Sequence, residues 1–152
     1  MTQQKAFKII GITVRTTNQN GQATQDIPAL WHRFMGNNLA AIIPNKLSDD
    51  IYCLYTEYEK DHTLPYTTMI GCKVSSLDTI PEGMTGKTIS AGSFTKYTAK
   101  GNLAQGAVYN EWKNIWATAT NRAFTTDYEI YGAKAANPEN GEVDIFVGVK
   151  EI

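Results

Sequence analysis

Thr126-Asp-Tyr-Glu-Ile-Tyr-Gly132 and Gly141-Glu-Val-Asp-Ile-Phe-Val-Gly-Val-Lys150 lie in the C-terminal quarter of the chain. Both alternate apolar and polar side chains over a strand's length and are bounded by glycine, so each reads as a short β-strand. The first holds a carboxylate, Glu129, between aromatic and aliphatic neighbours. A glutamate in such a strand either faces water or lies beside apolar groups, where it is costly unless a cation or hydrogen-bond donor meets it.

Working outward from these strands, a segment order recurs. Thr88 to Ala99 reads as a strand, and Leu103 to about Thr120 as a helix with Val108, Trp112, Ile115, Trp116 and Ala119 near one face; the two strands quoted above follow. The first half has the same order. Phe7 to Arg15 reads as a strand, Thr16 to Gln25 as a polar loop, and Asp26 as the cap of a helix with Pro28 in its first turn. Ile27, Leu30, Trp31 and Phe34 fall at i, i+3, i+4 and i+7 on one helical face, and Pro44 closes the segment. Ile51 to Glu59 and Tyr66 to Val74 are then β-branched and aromatic strands around the turn-like Lys60-Asp-His-Thr-Leu-Pro65. Each half is strand, helix, strand, strand, about 5–75 and about 88–152, with Pro81, Gly83 and Gly86 marking a connector at about 76–87. Two such units place their strands in one antiparallel sheet with both helices on a single face. The class is α+β, and the 152 residues are expected to form a single domain.

Composition narrows the function classes. Fourteen basic residues against fifteen acidic ones, with neither sign in long blocks, lack the electrostatic footprint of a nucleic-acid binder. No apolar run approaches the length of a membrane span, and Met1-Thr-Gln-Gln-Lys-Ala6 has no signal-peptide core, so the expected location is cytoplasmic. Cys53 and Cys72 lie in separate expected strands without metal-ligand spacing and read as free buried thiols. His32 and His62 have no partner spacing for a metal or a nucleophile pair and receive no role. Pro81-Glu-Gly-Met-Thr-Gly-Lys-Thr88 imitates a phosphate-binding loop, but proline stands at the first glycine position and the residues after it have strand character. A phosphate loop must open a helix, so nucleotide binding is set aside. No cofactor or metal is expected.

These residues carry a resemblance to a known family. Gly92-Ser-Phe-Thr-Lys-Tyr-Thr-Ala-Lys-Gly101, the helix with Trp112 and Trp116, Asp127-Tyr-Glu-Ile-Tyr131 and the strand Glu142 to Lys150 resemble the GyrI-like small-molecule-binding family. That family supplies the effector-binding domain of AraC-type and MerR-type drug-sensing regulators. Leu30-Trp-His-Arg-Phe34, Ile51-Tyr-Cys-Leu-Tyr-Thr-Glu-Tyr58, Gly71 before Cys72, and Pro81-Glu-Gly-Met84 extend the likeness over nearly the whole chain. The aromatic-Glu-x-Tyr pattern at Tyr128-Glu129-Ile130-Tyr131 is its most specific element. Tyr128 stands where the family usually has Phe, and Gly148 where it often has Pro.

The resemblance implies a tandem duplication about a pseudo-two-fold axis, with a groove between the helices over the sheet. It implies a lipophilic, often cationic ligand there, held by the strand glutamate among aromatic rings. No DNA-binding headpiece precedes the first strand, so a stand-alone form is expected. The residues it nominates for the ligand are Glu129, Trp31, Phe34, Tyr52, Tyr55, Tyr97, Trp112, Trp116 and Tyr131. The helix-stripe aromatics and half of the tyrosines are equally accounted for by ordinary packing. Two other functions stay open. One is hydrolysis of strained electrophiles with Glu129 as general base; the other is a gyrase-inhibitor-like protein-interaction role with an unnamed partner.

Overall fold

The computed structural model describes residues 2–150. In chain order the elements are β1 (Thr2–Gln4), β2 (Phe7–Thr16), α1 (Ala23–Gly36), β3 (Ile51–Thr56), β4 (Tyr66–Val74), β5 (Thr85–Ile89), β6 (Gly92–Gly101), α2 (Ala107–Thr118), β7 (Arg122–Tyr131) and β8 (Gly141–Val149). The strands of the described residues form one antiparallel sheet ordered β1-β6-β8-β7-β3-β4-β2-β5. Read outward from the β7–β3 junction, the two directions give the same succession of roles, second, third and first strand of a half, and each ends on a short edge strand: β5, largely from the connector, beside β2, and β1, from ahead of the first half, beside β6. The class is α+β, as the segment order predicts.

Register fixes which side chains share a face. Tyr97 lies opposite Ile145, Ile145 opposite Glu129, Glu129 opposite Cys53, Cys53 opposite Ile70 and Ile70 opposite Ile12, so one row crosses six strands on a single face. Both helices pack on that face. The α1 stripe puts Leu30 and Phe34 against Ile10, Ile12, Cys53, Ile70 and Cys72, and α2 puts Trp112 and Ile115 against Ala99, Val143, Ile145 and Val147. Helix packing thus covers the two wings of the sheet and leaves its centre, at Glu129, between them.

The opposite face is buried without any helix. Ile9, Leu54, Met69, Ile89, Phe94 and Tyr128 form its core, with Phe7 and Phe146 packed against them. Phe7 of β2 and Phe94 of β6 belong to opposite wings, yet both rings lie 5.3 Å from Tyr128. The sheet therefore curls until its wings share one aromatic cluster. Strands β2 and β4 approach closely at Gly11 and Gly71, which face each other. A Cβ on Gly11 would lie 2.0 Å from the Ile70 carbonyl oxygen, and one on Gly71 would lie 2.2 Å from that of Ile10.

Several local expectations change. Thr88 to Ala99 is two strands, β5 and β6, broken at Ser90 and Ala91, and β5 joins the edge beside β2. α1 starts earlier than Asp26: a 3-10 turn at Gln19–Gly21 feeds straight into it. Asp26 sits inside the first turn, where Oδ2 accepts from Thr16 Oγ1 at 2.8 Å and Gln22 Nε2 at 2.9 Å. The second helix is likewise split, with a 3-10 turn at Leu103–Gln105 and the left-handed Gly106 before α2. β3 ends at Thr56 because Glu57 takes a left-handed conformation, φ 51°. Among the described residues no helix is long and apolar enough to cross a membrane.

Candidate functional site

A cavity of about 350 Å³ opens between α1 and α2 over the middle of the sheet. Strand alternation carries Tyr55, Glu129 and Tyr131 to its floor, and the helices supply Trp31 from one side and Trp112 and Trp116 from the other. Glu129 is only 1% exposed. Its Oε2 accepts from the Tyr55 hydroxyl at 2.8 Å and from the Trp112 indole N–H at 2.6 Å, while Oε1 accepts from the Tyr131 hydroxyl at 2.6 Å. Three donors aimed at two oxygens satisfy a carboxylate as they stand; a protonated acid would fit only with its O–H on Oε1 and the Tyr131 hydroxyl turned to accept.

All three donors are neutral, and no cation pairs with Glu129 among the described residues. Burial pushes its pKa above the ordinary glutamate value, against the lowering effect of the bonds from Tyr131, Trp112 and Tyr55. Burial likewise pushes the Tyr55 and Tyr131 hydroxyls well up, with further raising contributions from Cys53 and Glu129 at Tyr55 and from Glu129 and Cys53 at Tyr131. Both phenols remain protonated donors.

The walls are aromatic and mutually braced. Trp31 meets Tyr131 edge-on at 4.7 Å, Tyr55 meets Trp112 edge-on at 5.5 Å, and Trp112 and Trp116 lie 6.4 Å apart. Such contacts fix ring positions before any ligand enters.

Three of the nominated residues lie elsewhere. Phe34 is fully buried in the core beneath α1. It shares the stripe of Trp31 but faces the sheet, whereas Trp31 stands at the stripe's edge. Tyr52 belongs to the cluster on the opposite face, since it is three residues from Tyr55 and strand alternation points the two apart. Tyr97 shares the face and the row of Glu129 but sits two strands away, packed against the core that α2 covers.

Other lining residues had no signature in the sequence. Tyr58, His62, Tyr66 and Arg122 all reach the cavity. Arg122 and Asp127 form an ion pair of 2.7 Å, with both side chains at most 4% exposed. Asp127 also accepts from the Tyr58 hydroxyl and from the Gly148 N–H at 2.9 Å. Arg122 enters through an irregularity in β7, where the register with β8 shifts between Arg122 and Asp127 and Phe124 adopts φ 55°. The guanidinium lies 4.3 Å from the Phe124 ring centre and 5.7 Å from that of Trp112. What the arrangement offers chemically is one uncompensated carboxylate inside aromatic walls, beside an internally neutralised ion pair.

A family profile described as Cass2, integron-associated effector binding protein, matches residues 1–149. The chain is 28% identical over 148 residues to YobU of Bacillus subtilis (strain 168), a protein named for a proposed role as a transcriptional regulator; the match covers 95% of this chain and 92% of YobU. An integron cassette protein from the mobile metagenome of Vibrio cholerae, VCH_CASS2, shares 30% identity and superposes with a TM-score of 0.72 over 98% of this chain and 94% of its own. SAV2435, solved bound to tetraphenylphosphonium, shares the fold at 20% identity with a TM-score of 0.80, covering 98% of this chain and 92% of that one.

Proposed function

The chain belongs to the integron-associated effector-binding family, Cass2, and from that premise we propose that its cavity holds a lipophilic monocation with Glu129 as the counter-charge. The family makes it a small-molecule-binding, effector-binding domain related to regulators. The proposal adds the ligand's charge and the residues that meet it. It takes the chain as one binding domain, its halves at about 5–75 and 88–152 joined through about 76–87, with the groove between their helices as the site.

The observation that carries the proposal is Glu129, 1% exposed at the cavity floor and hydrogen-bonded by three neutral groups without a cation. A carboxylate held this way keeps its negative field while being screened little by water, so a cation entering the cavity completes an unfinished charge pair. Trp31, Trp112 and Trp116 add dispersion and cation–π attraction, worth about 0.5–2 kcal/mol for each well-placed ring. Walls of this kind select charge and aromatic character more strongly than shape. Tetraphenylphosphonium, the ligand of SAV2435 on the same fold, is a lipophilic monocation, which supports the class though not the particular compound.

The test compares two compounds of one shape and different charge. 1-Methyl-4-phenylpyridinium and the neutral 4-methylbiphenyl are titrated into the full chain while tryptophan fluorescence is followed. The cation is expected to bind measurably tighter and to quench saturably. Equal affinities, or preference for the neutral compound, would refute the counter-charge reading.

A further inference from the structure

His62 is fixed at the cavity wall from three sides. Its ring stacks on Trp116 at 5.6 Å with 9° between planes, and on Phe124 at 6.0 Å with 27°. Its main-chain carbonyl accepts from Asn18 Nδ2 at 2.9 Å, and Asn18 is itself held by the Tyr66 hydroxyl at 2.6 Å. A loop side chain with these restraints has a defined orientation, unlike a surface histidine.

The tautomer follows from the neighbour. His62 Nδ1 lies 3.4 Å from Arg122 Nη1, and a guanidinium can only donate, so Nδ1 accepts. Burial and the Arg122 charge lower the imidazole pKa, against weaker raising contributions from Asp61 and Asp127, so the ring is neutral near pH 7. A neutral ring whose Nδ1 accepts carries its proton on Nε2. That N–H has no partner among the described residues and is not among the buried unpaired atoms, so it remains accessible. The adjoining guanidinium polarises the ring and strengthens the donor.

Glu129 and His62 stand apart along the aromatic wall. Trp112 donates to Glu129, Trp116 neighbours Trp112, and His62 lies on Trp116. Two indole rings therefore separate an anionic acceptor from a neutral donor inside one cavity. The Arg122 charge is met by Asp127, which leaves no net positive charge at the donor end to hold an anion.

Building on the cation reading of the cavity, we propose that His62 is a specificity-determining residue whose Nε2–H donates to a neutral acceptor on the ligand. The ligand class becomes an elongated aromatic monocation with a carbonyl or similar acceptor two rings from its charge.

The probes are 4-(4-acetylphenyl)-1-methylpyridinium and its 4-isopropenylphenyl counterpart, which replaces C=O by C=CH2 and keeps the shape. In the wild-type chain the acetyl probe is expected to bind about three- to tenfold tighter, the usual net worth of one neutral hydrogen bond. In His62→Phe, which retains a ring for Trp116 to stack on, the ratio of the two affinities should fall to about one. Imidazole nitrogen NMR of the ¹⁵N-labelled wild-type chain provides a reading that needs no variant: the Nε2 resonance should shift with the acetyl probe and hardly with the isopropenyl one. Equal affinities in the wild type, or identical Nε2 shifts, would overturn the His62 assignment and leave the cation reading intact. If neither pyridinium binds better than 4-methylbiphenyl, the cation reading itself fails.

Discussion

Replacing Glu129 by Gln isolates the charge from the shape. The amide fits the existing donors in one orientation. Its carbonyl takes the Oε2 position, where Tyr55 and the Trp112 N–H, which can only donate, both point inward. Its NH2 then takes the Oε1 position opposite Tyr131, whose hydroxyl rotates from donor to acceptor. The fold should survive. The affinity should not: the tyrosine hydroxyls and the indole cover Glu129, so a ligand cation comes no nearer than about 5 Å, and at an effective dielectric of about 20 its attraction to the carboxylate is about 3 kcal/mol. The hydration that both charges give up offsets part of this, leaving a net loss of about 1–3 kcal/mol, or roughly five- to 150-fold in Kd. Isothermal titration of 1-methyl-4-phenylpyridinium into wild type and variant measures it, with 4-methylbiphenyl as the shape control. The neutral compound should bind the two proteins alike, and because the pair is buried, the cation's advantage should persist from low to physiological salt. Equal weakening of both compounds would mean that the substitution damages the cavity and that the charge does nothing.

Three further outcomes follow from the same geometry. The Glu129 pKa is raised in the folded state, so its contribution to stability is fully present below the unfolded value, near 4.5, and is lost as pH rises through the folded value; cation affinity moves oppositely, rising over that window as the carboxylate ionises. Melting scans and titrations against pH should show both slopes in wild type and neither in Glu129→Gln beyond the background left by Asp127, and parallel slopes in the two proteins would refute the assignment. Trp112→Phe removes the indole donor to Oε2 and should cost about 1–3 kcal/mol of stability in urea unfolding; it should also remove part of the quenching by a bound aromatic cation, and an undiminished quench would place Trp112 away from the ligand. Gly71→Ala puts a Cβ 2.2 Å from the Ile10 carbonyl oxygen, so it should cost about 3 kcal/mol or more, and a melting temperature within a degree or two of wild type would contradict the close approach of β2 and β4.

Where the sequence spoke clearly, local chemistry and tertiary context agreed. Tyr66–Val74 is β4 to the residue, a β-branched and aromatic run bounded by Pro65. The α1 stripe buries Leu30 and Phe34 as its spacing requires. Glu129 stood out because an acid between Tyr128 and Ile130 on one face and beside Tyr131 on the other demands a partner. The edge strands were illegible: Thr2–Gln4 and Thr85–Ile89 have little apolar alternation, and their pairing partners lie far away along the chain. The parity of strand residues already separates Tyr52 from Tyr55, and that signal alone would have removed Tyr52 from the site. Parity misleads at Arg122, which by counting faces away from Asp127; the irregularity at Phe124 turns it back toward the same carboxylate. Tyr58 and His62 depend similarly on the left-handed turn at Glu57. Single backbone irregularities of this kind are set by packing and leave no periodic trace.

The same strand symmetry shows why the cavity floor holds a single unpaired acid. At the β7–β3 junction Glu129 stands directly opposite Cys53, so the position that mirrors the glutamate across the centre of the sheet holds a thiol. Burial, and then the Glu129 charge, push that thiol well above its ordinary pKa, so it stays neutral. Two carboxylates in directly paired strand positions would lie roughly 5 Å apart, and their repulsion in a dry site would hold one of them protonated. A second acid would therefore add a proton more readily than a second binding charge. With Arg122 answered by Asp127, the floor presents Glu129 alone to whatever enters. A monocation neutralises that floor; a dication would leave one charge desolvated against aromatic rings, with only their weak quadrupoles to meet it.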